Sequence, residues 1–308
     1  MRFDPNSWRR LLVLVALTLA ACTTDPAVPS TSSTTTPAST TTAPATSTAP
    51  STTTTAPSTT TTLLEPDTFL TVGNTCLLGW WDGVWQSGDD LPVSGGEDYQ
   101  VVRLDEPITS TTGSEARPSC EPLDLVSVEF DPAIPGDFLE VDALAIQTGT
   151  AVRPYPVQSL ALSIPTYIQA TSELLETRVA GIPIINLTQV IRTDLEGDGT
   201  DEVIVAASTI PDDLISSQVG DYSIVYLRKV IEGELQTAIL GVSIVEDLDN
   251  LFQDLAVFNV AAVADLNGDG TMEIVINGIV WEGAFLQAWE YINDDLGPVE
   301  VLSCGCGS

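Results

Sequence analysis

The chain has 308 residues and a formal net charge of −33, from 43 acidic side chains against 10 basic ones, and it has no histidine. So acidic a protein lacks the basic patch that phosphate neutralisation requires, which excludes nucleic acid as a partner. The absence of histidine excludes Ser-His-Asp and Cys-His catalysis and leaves no mixed Cys/His zinc site.

At the N-terminus, Arg2, Arg9 and Arg10 precede a short apolar run from Leu11 to Leu19, followed by small residues. That order is the pattern of a secretory signal over residues 1–21, and the run is shorter than the ~20 residues needed to span a bilayer. Leu19-Ala20-Ala21-Cys22 resembles the lipobox of bacterial lipoproteins. The resemblance implies that the thiol of Cys22 is acylated, that the chain is cut before it, and that the protein is held on the extracytoplasmic face of the cell membrane. Two or three acyl chains, at ~0.8 kcal/mol per buried CH₂, suffice for such an anchor.

Residues 22–63 follow as the expected linker. Apart from Asp25 and Val28, positions 23–62 hold only Thr, Ser, Pro and Ala. Such a segment has too little apolar surface to offset the entropy of ordering, so it is expected to stay disordered. Its prolines favour extended conformations, which at ~3.1 Å per residue give an upper reach on the order of 120 Å. It reads as a spacer that lifts a domain away from the membrane.

From residue 64 aromatic and β-branched residues appear, and residues 64–165 are expected to form a β-rich N-terminal part. Gln100 to Leu104 and Leu125 to Phe130 read as short strands between Gly, Pro and Asp. Trp80, Trp81 and Trp85 flank Asp82-Gly83 and read as core aromatics beside a turn, with a sugar-stacking platform as the alternative. Beyond Cys22 the cysteines are Cys76, Cys120, Cys304 and Cys306, an even set suited to disulfides in an oxidising compartment. Cys76 with Cys120 and a ring through Cys304-Gly305-Cys306 is one arrangement. A staple from Cys304 or Cys306 to the N-terminal half is another.

Residues 166–308 are expected to hold one helix and two similar β units. Tyr167 to Arg178 suits a helix started by Pro165 and Thr166, with Ile168, Leu174, Leu175 and Val179 near one face. Strands are predicted over Ile184–Arg192, Glu202–Ala207, Tyr222–Val230 and Leu235–Val245, then over Phe258–Ala264, Glu273–Trp281, Ala284–Tyr291 and Val299–Leu302. Glu232-Gly233 and Glu282-Gly283 read as hairpin turns.

Each unit carries the same acidic loop. The first runs Asp194-Leu195-Glu196-Gly197-Asp198-Gly199-Thr200-Asp201-Glu202, and the second Asp265-Leu266-Asn267-Gly268-Asp269-Gly270-Thr271-Met272-Glu273. Alternate oxygen-bearing side chains are what a hard cation needs, since calcium takes six to eight oxygens at ~2.3–2.6 Å. The candidate ligands are Asp194, Glu196, Asp198 and Glu202, then Asp265, Asn267, Asp269 and Glu273, with the backbone carbonyls of Thr200 and Thr271. An EF-hand is ruled out, because its twelfth position must be a bidentate Glu and here it is Val205 or Ile276 within a predicted strand.

The two loops and their β flanks resemble the FG-GAP/VCBS repeat of integrin-like propellers and bacterial surface proteins. The likeness extends over residues 184–302. It implies calcium as the cofactor, bound by the loop acids between strands. It also implies a mostly β fold of antiparallel four-stranded units, as a propeller or partial propeller, with one short helix. A closed propeller takes four or more such units, and the globular region holds about three at ~70 residues each. Either the N-terminal part supplies degenerate blades, or the two units pack as a sandwich-like or incomplete arrangement. The function expected is a membrane-anchored binding, adhesion or scaffold module with an unidentified protein or glycan partner. The alternative is a carbohydrate-active enzyme using calcium structurally, for which no carboxylate pair can be singled out.

Overall fold

The computed structural model describes residues 67–71, 77–87, 95–104, 106–115, 117–119, 125–134, 142–147, 152–179, 181–211, 214–248, 255–281, 283–291 and 297–307, with the backbone alone at 67–71, 118–119, 125–127 and 306–307. The expected signal, Cys22, the linker, Cys76 and Cys120 lie outside the described residues.

Short extended segments open the chain: β1 (Asp67–Thr71), β2 (Leu77–Trp81), β3 (Trp85–Ser87), β4 (Asp98–Val102), β5 (Thr109–Gly113), β6 (Arg117–Ser119), β7 (Leu125–Ser127), β8 (Phe130–Asp131) and β9 (Leu144–Gln147). Seven of them pair in the order β3-β2-β1-β9-β4-β5-β8, while β6 and β7 pair with each other. After β10 (Gln158–Ser159) comes the helix α1 (Pro165–Leu175). Then β11 (Leu187–Thr193), β12 (Glu202–Ser208), β13 (Tyr222–Ile231) and β14 (Glu234–Ile244) form a second sheet, with β10 on its edge. The third sheet is β15 (Ala256–Ala264), β16 (Glu273–Val280), β17 (Gly283–Tyr291) and β18 (Pro298–Gly307), in chain order. The fold is mostly β, with antiparallel sheets, none of them closed, and one helix among the described residues.

Alternation along the strands stacks these sheets. On β16, Ile274 and Ile276 share a core with Ile204, Val225 and Leu227 of the second sheet. Val275 between them points the other way, into a core with Leu78, Leu144 and Ile146 of the first sheet. Successive strand residues face opposite sides, so the third sheet lies between the other two. This is why β16 is buried at six consecutive positions instead of every second one. The outer face of the second sheet is covered by α1, whose Leu175 packs with Val205, Ala207, Ile224 and Tyr226. Each fully buried Leu or Ile contributes roughly 1.5–3 kcal/mol to holding these layers together.

β15 is an edge strand, and a side chain takes the place of a neighbouring strand. Gln189 of β11 donates its amide N–H to the carbonyl of Val260 at 2.9 Å and accepts the Val260 N–H at 2.7 Å. The second and third sheets are thereby joined along the strands that lead into the two acidic loops.

Several boundaries differ from expectation for physical reasons. The helix starts at Pro165 and ends at Leu175. Ile168 is exposed, and Thr171 is buried in its stead, its hydroxyl 2.8 Å from the Tyr226 hydroxyl. The amphipathic stripe is therefore narrower than the count of apolar residues suggested. β11 begins at Leu187, leaving Ile184 exposed. Glu232 and Gly233 form the expected turn, with φ of 53° and 84°. In the other hairpin Gly283 pairs with Val280 and opens β17, so it does not sit in the turn. β18 continues to Gly307, carrying Cys304 opposite Leu286 and Cys306 opposite Ala284. Cys304 is disulfide-bonded.

Candidate metal centre

Both acidic loops join adjacent antiparallel strands, β11 to β12 in the second sheet and β15 to β16 in the third, and in each sheet two further strands follow in chain order. Local hydrogen bonds shape them. In the first, Asp194 Oδ1 accepts the N–H of Gly197 at 2.7 Å and of Asp198 at 3.2 Å, and Oδ2 accepts that of Gly199 at 2.9 Å. In the second, Asp265 accepts from Gly268 at 2.7 Å and from Gly270 at 3.0 Å. Asp198 and Asp269 each accept the N–H two residues ahead, at 2.6 and 2.7 Å. The left-handed turns these bonds impose fall on glycine, with φ of 72° and 88° at Gly197 and Gly199 and 75° and 93° at Gly268 and Gly270. A Cβ on Gly197 would collide with the Tyr155 ring, so the first loop also needs glycine there for space.

The last acid of each loop is drawn inward. Glu202 Oε2 accepts the Leu195 N–H at 2.9 Å, and Glu273 Oε2 accepts the Leu266 N–H at 2.7 Å. Both glutamates are buried. The two loops also touch, through the Met272 N–H donated to the Leu195 carbonyl at 2.8 Å.

Burial sets the electrostatics. Glu202 is pushed up to about 7, chiefly by desolvation, with the Leu195 N–H and Lys229 working against it and Glu196 and Asp198 adding to it. Glu273 is raised well above the usual carboxylate range by burial, opposed by the Leu266 N–H and reinforced by the charges of Asp265, Asp269 and Glu290. Burial also raises Asp265, against the Gly270 and Gly268 N–H groups that lower it. The Glu273 Oε1 atom has no hydrogen-bond partner. A buried carboxylate oxygen without a donor is costly, and either a proton or a bound cation would relieve that cost.

Of the expected ligands, Asp265, Asn267, Asp269 and Glu273 gather in the second loop, with Asn267 donating to Asp269 at 3.1 Å. In the first loop Glu196 turns to Lys229 and forms an ion pair with it. Among the described residues no three acidic or cysteine side chains already stand at metal-ligand spacing. The first aspartate of each loop directs its oxygens to backbone N–H groups instead.

The chain matches no known family, curated protein or solved structure. Its chemistry therefore has to be read from its own residues. Two that bear on the loops, Lys229 and Glu290, were not among the expected site residues, and Trp85 was expected only as a core aromatic or a sugar platform. Lys229 carried a signal, being the only lysine in the chain; it is buried and lies 3.9 Å above the Tyr291 ring centroid. Glu290 accepts the Trp85 indole N–H at 2.8 Å, a contact between sheets that no local pattern announces. Trp81 and Trp85 meet edge to face at 4.7 Å and pack, half-buried, against the core that holds Leu78, Leu144 and Leu302. Beside Lys229 a pocket of about 40 Å³, lined in part by Leu227, Tyr291 and Pro298, has room for little more than water.

Proposed function

We propose that this protein is a lipid-anchored extracytoplasmic module whose acidic loops bind calcium and whose stacked sheets present a rigid binding or scaffold surface. The observation that carries the calcium reading is the buried Glu273 carboxylate, with one oxygen unpartnered, among Asp265, Asn267 and Asp269. Hard oxygen ligands on a glycine-turned loop suit calcium better than a transition metal. Asp265, Asn267, Asp269 and Glu273 would hold the ion, with Thr271 offering its carbonyl. The ion would supply charge compensation and a cross-link between β15 and β16. Asp194, Asp198, Glu202 and the Thr200 carbonyl are the counterparts in the first loop.

The resemblance to FG-GAP/VCBS repeats supports a surface binding role, and the lipobox-like Leu19-Ala20-Ala21-Cys22 supports the anchor. The partner is read as a protein or glycan outside the cell. The cysteines Cys76, Cys120, Cys304 and Cys306 are read as disulfide partners in that oxidising setting.

The deciding test is thermal unfolding of residues 65–308 with calcium and with a chelator. A ligand that binds only the folded state must raise the melting point as its free concentration rises. The rise should vanish when Asp265 and Asp269 are replaced by Ala. An unchanged melting point would leave the loops as plain turns. For the anchor, Cys22→Ser should release the protein from the membrane fraction; a variant still sedimenting with membranes would refute lipidation at that cysteine.

A further inference from the structure

The two loops match in sequence, but the strand behind each one does not. Val203 pairs with Arg228 across β12 and β13, and Ile274 pairs with Trp289 across β16 and β17. One step along each ladder, Lys229 comes opposite Glu202 and Glu290 comes opposite Glu273. Residues opposite each other across antiparallel strands point to the same face. Lys229 and Glu290 are thus counterparts of opposite charge.

Each meets the third residue of its own loop. Lys229 ion-pairs with Glu196, and its charge also acts on Glu202. Glu290 Oε1 lies 3.5 Å from Asn267 Nδ2, while its Oε2 is held by the Trp85 indole. The first loop therefore carries a cation of its own, buried and steadied over the Tyr291 ring. The second loop has a carboxylate at that place. None of the ion pairs among the described residues involves it. It also contains the unpartnered Oε1 of Glu273, whose side chain is fully buried. In the first loop Glu202 likewise accepts a hydrogen bond through one oxygen only, but the Lys229 charge stands against its burial there, and neither of its oxygens is among the fully buried groups lacking a partner.

We propose that the protein binds a single divalent cation, in the second loop, with Glu290 of β17 as a ligand from outside the loop, while Lys229 takes the place of the cation in the first. This rests on the calcium reading above and narrows it from two sites to one. Asn267 and Glu290 would then share the ion, in place of the 3.5 Å contact that the amide and the carboxylate make directly. Trp85 is a positioning residue, fixing the Glu290 carboxylate through its second oxygen.

The test is calcium titration calorimetry on the full mature chain and on two variants. The wild type should bind one calcium. Glu290→Gln keeps an acceptor for the Trp85 N–H but removes a charged ligand, so the affinity should fall at least tenfold with the fold intact by circular dichroism. Lys229→Met should bind a second calcium, because Glu196 loses its partner. Two sites in the wild type overturn the proposal while leaving the calcium reading standing, as does an unchanged affinity in Glu290→Gln. No binding by the wild type overturns both. Should either variant fail to fold, the wild-type stoichiometry and the other variant still decide.

Discussion

Replacing Glu273 by Gln should produce a crossover in stability that depends on calcium. The substitution keeps a side-chain oxygen to accept the Leu266 N–H and alters the volume little, so packing of β16 is undisturbed. What it removes is the buried charge, one of whose oxygens has no donor. In chelator, relief of that uncompensated group should stabilise the variant by on the order of 1–3 kcal/mol. In calcium the order reverses. With a Kd on the order of 0.1 mM, the tight end for extracellular calcium modules, about 10 mM free calcium stabilises the wild type by about 2.7 kcal/mol. For a domain of this size that is a rise of about 5–11 °C in melting temperature, and the variant should show little of it. Differential scanning calorimetry at neutral pH in chelator and in calcium reads both effects. A variant less stable than the wild type in both buffers would refute the reasoning, since the carboxylate would then be held by protein groups alone.

Two further outcomes follow from the packing. Gln189→Glu retains an acceptor for the Val260 N–H but sets a carboxylate against the Val260 carbonyl, where the amide now donates; urea unfolding should show a loss of about 2–3 kcal/mol, and a loss within error would mean the two sheets do not depend on this bridge. The phenols of Tyr99, Tyr222 and Tyr226 are raised above their ordinary value, in each case chiefly by burial. Their contribution to stability is therefore complete below pH ~10, where the unfolded phenols are also protonated, and is lost as pH climbs through the higher folded values. A near-ultraviolet titration should show these phenolates appearing together with loss of the β signal in circular dichroism. Phenolate formation in a still-folded protein would contradict their burial.

The sequence by itself determined whatever is local. Asp-x-x-Gly-x-Gly spacing fixes the loops, because one carboxylate collects the N–H groups of the next few residues and only glycine accepts the left-handed turns; both copies obey this at Asp194 and Asp265. Glu232-Gly233 fixed a hairpin for the same reason, and strands β11 to β17 were legible to within a few residues, while β10 was not foreseen and β18 runs five residues further than expected. What only the tertiary structure decided depends on residues far apart in the chain. That Ile168 faces solvent while Thr171 is buried follows from how α1 lies on the second sheet, where the Tyr226 hydroxyl offers a polar partner. That the third sheet is covered on both faces follows from which sheet stacks on which. The two acidic loops, alike in sequence, acquire different electrostatics because hairpin register sets Lys229 behind one and Glu290 behind the other. Register is fixed by the apolar faces that the sheets bury against each other, and those faces exist only once the whole chain has folded.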